Sequence, residues 1–396
     1  MFEGFEGFEG FESLIVFGFS LAGCALLVMT KNLHLGRSAR GHSGSAVQSA
    51  HNDPTPRIGG VAIGASLVLS LFFAPKSMMD NYLPFVLSLV PVFLAGLADD
   101  LGYEVRPKWR LSAAALSSIL AIIMLQMWVT RVDIPYVDAI VAFAPIGILL
   151  TVFATSGVCN AFNLIDGLNG LSAGTGAMVA MGLASIAHAA GDPNFVKLSM
   201  LLIAALAGFL VLNFPYGKLF LGDAGAYSLG HILAWFAILI VDRLSGVTTW
   251  AVLLVFFWPV ADTLFAIYRR SRSGHKFDRP DRLHYHQLVM RSLEILWLGR
   301  GKRHIANPLA TLVMMPLIAM PIVTGVLLWD QPLPSFVGVV IFSLLFVSSY
   351  MVGVRFASAR RSRIGRSPKP TAVFKKGNTK SDAKTPGNKL ECLLVV

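Results

Sequence analysis

The chain is 396 residues long, with 55% hydrophobic residues, only 14% charged residues and a mean hydropathy of +0.65. Water-soluble domains carry about 25% charged residues, so an ordinary soluble domain is excluded and a lipid bilayer is the expected solvent. The net charge of +11 would point to nucleic acid only if the basic residues lined one soluble face. They sit instead in loops between apolar runs, so no nucleic-acid partner is expected.

The chain opens on a low-complexity acidic repeat, MFEGFEGFEGFE at 1–12, which lacks the positively charged start of a cleavable signal peptide. It reads as a tail, and the apolar run behind it reads as a retained first membrane helix. A bilayer core about 30 Å thick takes about 20 helical residues. Eleven runs come near that length, at 13–30, 58–75, 82–98, 111–130, 137–155, 172–190, 197–213, 225–241, 247–268, 309–329 and 335–354. They predict an all-α fold, a polytopic transmembrane helical bundle forming one domain over 13–354.

Loop alternation tests that number. If all eleven runs cross, one side collects 31–57, 99–110, 156–171, 214–224, 269–308 and the tail 355–396, and with them 29 of the 33 Lys and Arg residues. The other side keeps only Lys76, Arg131, Lys197 and Arg243. Basic loops stay in the cytoplasm, which predicts an outside N-terminus, a cytoplasmic C-terminus and a home in the inner or plasma membrane. The tail 355–396, rich in Arg, Lys, Ser and Pro, is expected to be a disordered segment over the anionic leaflet. Cys24, Cys159 and Cys392 share no paired or metal-type spacing, so no disulfide framework is implied.

Polar chemistry gathers on the basic side in five segments. The first is HNDPTPRIGG at 51–60, where two prolines fix an extended approach to a span and Arg57, with Gly59 and Gly60, suits the edge of a substrate site. After the third run come Asp99 and Asp100, followed by Arg106, Lys108 and Arg110. Adjacent carboxylates at the end of an apolar helix are costly unless they meet a cation or move protons; a solvated helix end is the plain alternative.

Next is NAFNLIDGLNG at 160–170. A helical turn places Asn160, Asn163 and Asp166 on one face, with Asn169 next in the series, and Gly167 and Gly170 allow a tight turn or close approach to a phosphate. In FLGDAGA at 220–226, Asp223 stands between glycines at a helix start and suits Mg²⁺ shared with substrate phosphates. Helix capping competes with that reading, and Phe220 reads as either a packing or a base-stacking aromatic. Last, Arg282, His284 and His286 suit a diphosphate better than zinc, because no cysteine or HExxH spacing accompanies them.

In this order and on one side of the membrane, the five segments resemble the polyprenyl-phosphate N-acetylhexosamine-1-phosphate transferase family, over about 51–291. The resemblance implies transfer of a sugar-1-phosphate from a UDP-sugar to a polyprenyl phosphate such as undecaprenyl phosphate, with release of UMP, to start a lipid-linked cell-envelope glycan. It implies Mg²⁺, with Mn²⁺ as a substitute, and is compatible with a homodimer. Asp99 and Asp100 correspond to the family's catalytic acidic pair, and Asp223 with Asp166 to its metal ligands. Asn160, Asn163, Asn169 and Phe220 correspond to nucleotide-sugar contacts, Arg282, His284 and His286 to diphosphate contacts, and Arg57 and Lys108 to the substrate edge.

Two positions depart from the family pattern, Asn169 where Asp is common and Gln287 where a further His is common. The PTPRIGG segment is closer to the N-acetylglucosamine and O-antigen branch than to the muramoyl-pentapeptide branch, which stays as the alternative. One-step transfer and a two-step route through an aspartyl-phosphate are both open. The rival from another class is a transporter, which would carry ionisable groups at mid-span. Asp262, in the run 247–268 and beside a potential kink at Pro259, is the one residue of that kind.

Overall fold

A computed structural model describes residues 10–33, 55–273 and 283–364, which form helices and connecting loops with no strand among them. The first six helices are α1 Phe11–Met29, α2 Gly59–Ser70, α3 Met79–Ser88, α4 Val90–Asp100, α5 Pro107–Leu125 and the short α6 Val137–Val141. Then follow α7 Ala144–Ile165, α8 Leu171–Ala189, α9 Pro193–Asn213, α10 Gly222–Arg243, α11 Thr249–Val255 and α12 Phe257–Ser273. The last three are α13 Tyr285–Leu293, α14 Arg303–Leu327 and α15 Pro332–Ile364. Most of the repeat 1–12 and of the tail 355–396 lies outside the described residues, as does Arg282.

Among the described residues nine helices are long and apolar enough to cross a bilayer, with α3 and α4 counted together as Lys76–Asp100. The protein is therefore a multi-pass helical membrane protein. Each of the eleven predicted runs coincides with a helix, but three differ from the expected shape. The run at 58–75 is α2, whose 12 residues rise only about 18 Å. The run at 247–268 is the pair α11 and α12, bent by 81° at their junction; Pro259 lies in the first turn of α12, where its missing N–H costs no helical bond. Taken as one span, the pair raises the number to ten.

The third difference concerns the site. The run expected at 137–155 becomes α7 over Ala144–Ile165, so the polar residues from Ser156 to Asn163 stay helical. Neighbouring helices supply the amide partners: Asn163 donates to Asp223 Oδ1 at 3.0 Å, and Asn160 Oδ1 accepts from the Tyr227 hydroxyl at 3.4 Å. Asn160 and Asn163 thereby ride on the last turns of a helix and not on a loop.

α10 is the central helix, with 89% of its most apolar stretch buried, against 17% in α1 and α15. The outer helices face lipid, which is why Leu14, Leu344 and Val352 remain exposed. Around the start of α10, small residues let backbones approach closely. A Cβ on Gly60 of α2 would collide with the backbone nitrogen of Gly225, and one on Gly96 of α4 would lie 2.5 Å from the Ala224 Cα. Close contact of α2, α4 and α7 with α10 brings their polar ends together.

Candidate active site

The site is assembled on the chain entering α10. Phe220 donates its N–H to the Pro56 carbonyl at 2.9 Å, while Gly59 and Gly60 donate to the carbonyls of Phe220 and Leu221 at 2.9 and 2.8 Å. This ladder fixes Arg57 beside Gly222, whose φ of +76° turns the chain into α10. That conformation suits glycine, and a Cβ there would meet the Arg57 carbonyl oxygen and stand 2.6 Å from Asp100 Oδ2.

The start of α10 has no capping side chain of its own. Its orphan N–H groups are taken by carboxylates from other helices. Asp100, 1% exposed at the end of α4, accepts the N–H groups of Asp223 and Ala224, each at 2.8 Å. Asp166, just past α7, accepts the N–H of Gly222. Desolvation pushes the Asp166 carboxyl up to about 7, against the lowering effects of Arg57 and the Gly222 N–H.

Asp223 is the hub. Arg110, in the first turn of α5, pairs directly with Asp223 and lies 3.1 Å from Asp99 Oδ2. Arg57 approaches Asp223 Oδ1 to 3.7 Å, and the Asn163 amide donates to the same oxygen at 3.0 Å. The Arg110 guanidinium also lies 5.9 Å from the Tyr227 ring, and the Tyr227 hydroxyl donates to Asn160 Oδ1 at 3.4 Å. Asp223 therefore does not cap its helix but faces the charged cluster. Asp99, Asp100, Asp166 and Asp223 carry four formal negative charges against two on Arg57 and Arg110.

The histidine segment reaches this centre from the side. His284 Nδ1 is 2.8 Å from Asp262 Oδ2, and the Tyr285 N–H donates to Asp262 Oδ1 at 3.0 Å. The rings of His284 and His286 stack with centroids 5.8 Å apart. His286 packs on Gly167, where a Cβ would lie 2.8 Å from its Nε2. Burial pulls His286 down to about 4, helped by His284 and opposed by Asp262. Asp262, which weighed toward a transporter in the sequence, is thus bound to the histidine segment.

Asn169 stands apart in a buried knot. Its amide donates to the Pro215 carbonyl at 2.8 Å, its N–H to Asn307 Oδ1 at 2.8 Å, and its carbonyl accepts from Thr311 at 2.7 Å. Lys108 is exposed at the start of α5, its ammonium 5.4 Å from the Trp109 ring. Phe220 is half-buried and contributes its backbone to the ladder described above. Arg282 lies outside the described residues. Sequence reasoning passed over Arg110 in favour of Lys108 and did not see Tyr227 or Asn307.

Fold and site together define a multi-pass helical membrane protein with a charged centre, drawn from four helices, at one end of the bundle. Residues 82–241 match the sequence model of glycosyl transferase family 4, a stretch containing Asp99, Asp100, Arg110, Asn160, Asn163, Asp166 and Asp223. The chain is 30% identical over 287 residues to the decaprenyl-phosphate N-acetylglucosaminephosphotransferase of Mycobacterium tuberculosis, covering 65% of this chain and 69% of that protein. It is 26% identical over 255 residues to the undecaprenyl-phosphate alpha-N-acetylglucosaminyl 1-phosphate transferase of Escherichia coli K12, covering 61% of this chain and 67% of that protein. The chain belongs to glycosyl transferase family 4.

Proposed function

We propose that this chain transfers N-acetylglucosamine-1-phosphate, or the phosphate of a closely related N-acetylhexosamine, from its UDP-sugar to a polyprenyl phosphate, releasing UMP. The observation that carries this reading is the gathering of Asp99, Asp100, Arg110, Asn163, Asp166 and Asp223 from four helices into one charged centre. The names of the relatives supply the polyprenyl-phosphate acceptor and the N-acetylglucosamine phosphate transferred, and the UDP donor is what the family resemblance implies. If all eleven apolar runs cross, 29 of the 33 basic residues fall in segments on the same side as the site motifs, which supports a cytoplasmic active site in the plasma membrane, where a nucleotide sugar is available.

Two anionic substrates must meet without repulsion. Arg57 and Arg110 offset the donor diphosphate and the lipid phosphate, and the Asn163 and Asn160 amides orient the donor. Asp99, held by Arg110 at the rim of the cluster, takes a proton from the lipid phosphate. The lipid oxygen then attacks the β-phosphorus, the bond from that phosphorus to the bridging oxygen breaks, and UMP leaves. His284 and His286 are assigned to the α-phosphate of the donor, which departs as part of UMP. Positioning and charge compensation account for most of the barrier reduction in such transfers.

The residues fit a divalent cation by charge, since four carboxylates exceed two guanidiniums by two. No three acidic, histidine or cysteine side chains form a preformed cage among the described residues, but Mg²⁺ at phosphate sites needs only one or two carboxylates. Asp223 and Asp166 would hold Mg²⁺, or Mn²⁺ in its place, and when bound it supplies neutralisation of the diphosphate charge.

The test is UMP release by purified protein given radiolabelled UDP-N-acetylhexosamines and undecaprenyl phosphate. UMP is expected only when the lipid phosphate is present, with a labelled lipid product. Failure of every donor in the panel overturns the reading.

A further inference from the structure

A buried carboxylate in a membrane-embedded helix is costly unless it is paired. Asp262, 3% exposed on α12, is paired with the histidine segment that packs beside the charged centre. One of its oxygens receives the Tyr285 N–H at 3.0 Å, at the start of α13, and the other lies 2.8 Å from His284 Nδ1. Pinning a helix start needs only a neutral acceptor such as Asn or Ser. The second contact aligns an imidazole, and the contacts continue from His284 to His286 by ring stacking and from His286 to Gly167, the neighbour of Asp166.

We propose that Asp262 is a positioning residue for the transfer reaction: it fixes the ring orientation and the Nδ1–H tautomer of His284, so that His284 meets the donor diphosphate through Nε2. This rests on the reading of the site as a sugar-1-phosphate transferase. With Nδ1–H held by Asp262, Nε2 is the ring nitrogen turned to the donor. A carboxylate behind the ring also stabilises positive charge on it as negative charge develops on the departing UMP. The 81° bend between α11 and α12 sets α12 at the angle from which Asp262 reaches His284.

The experiment compares wild type, Asp262→Asn, His284→Gln and the double variant, by UMP release with the donor and lipid on which wild type is active. Asp262→Asn is expected to lower kcat by about 10-fold or more, below the about 10⁴-fold seen when the carboxylate behind a general-base histidine is neutralised, with KM for the donor changed less than about threefold. In the His284→Gln background the Asp262→Asn change is expected to add less than about twofold. Wild-type kcat in either single variant, or losses that multiply in the double variant, overturns the proposal. Nitrogen-15 histidine spectra of the wild-type protein, with His284 assigned by its loss in His284→Gln, test it without the Asp262 variant. They are expected to show Nδ1 protonated, and an Nε2–H tautomer without an Nδ1 proton overturns the proposal. An inactive wild type across all donors counts against the transferase reading instead.

Discussion

The adjacent carboxylates Asp99 and Asp100 occupy different environments, and their asparagine variants are expected to separate stability from turnover. Asp100 receives two backbone N–H groups at 2.8 Å from the start of α10 and is 1% exposed. Asparagine keeps one oxygen for one of those donors and turns an NH₂ group on the other. The change leaves the backbone N–H without an acceptor and sets the new NH₂ donor against it, about 1–3 kcal/mol for each unsatisfied donor. Asp100→Asn is therefore expected to cost about 2–6 kcal/mol and to lower activity because Asp223 moves with its helix end.

Asp99 is 8% exposed and held by Arg110 at 3.1 Å. Arg110 keeps its pairing with Asp223 when Asp99 is neutralised, so no buried charge is left unpaired and Asp99→Asn is expected to cost less than Asp100→Asn. Its turnover should nevertheless fall by about 100-fold or more, as for loss of a general base. Denaturation of each variant in detergent, paired with UMP release, checks both halves. The reasoning fails if Asp100→Asn is as stable as wild type, or if Asp99→Asn retains wild-type turnover.

Three further changes probe other parts of the structure. Gly222→Ala places a side chain at φ +76° against the Arg57 carbonyl. It is expected to destabilise by about 1–2 kcal/mol from conformation with about 1–3 kcal/mol from crowding, and unchanged denaturation would contradict it. Asp133 lies in the loop between α5 and α6. Burial works to raise its carboxyl, but the Thr249 N–H, the Thr248 and Thr249 hydroxyls and Arg131 outweigh it and hold it below the ordinary value. Its contribution to stability is complete above the unfolded pKa of about 3.9 and lost as pH falls through the lower folded value. Wild type should therefore lose more stability than Asp133→Asn between about pH 5 and pH 3, and parallel profiles would rule this out. Asn169→Asp turns a carboxylate oxygen on the Pro215 carbonyl in place of a donor at 2.8 Å. A loss of at least about 1–3 kcal/mol is expected, although the resembling family commonly carries Asp there, and an undiminished melting temperature would remove the pin assigned to Asn169.

Much of the bundle was legible because a bilayer imposes a length and a polarity on every span. All eleven apolar runs coincide with helices, and the polar segments that stood out by spacing are those brought together by α4, α7 and α10. What pattern could not convey was helical phase and depth. Lys108 and Arg110 differ by two positions and so point about 200° apart on α5; nothing in their spacing says which one turns inward. The end of α7 was misplaced because hydropathy counts Asn160 and Asn163 against a span, although their side chains find partners inside the bundle in Tyr227 and Asp223. Asp262 looked like a transport group because its partner, His284, lies 22 residues on, beyond the reach of any local pattern.

The start of α10 also changes how anions meet this site. A helix N-terminus with glycines is ordinarily a ready phosphate site, through free N–H groups and the positive end of the dipole. Here the N–H groups of Gly222, Asp223 and Ala224 are given to Asp166 and Asp100, and a phosphate could reach them only by displacing a carboxylate. The dipole is therefore spent on holding acids at the bilayer boundary. What remains to meet substrate anions are the side chains of Arg57, Arg110 and Asn163, all of which converge on Asp223. On the proposed transferase reading, a donor diphosphate would be met by these groups, in exchange for Asp223, and by the histidine segment, with the helix as the scaffold of that exchange.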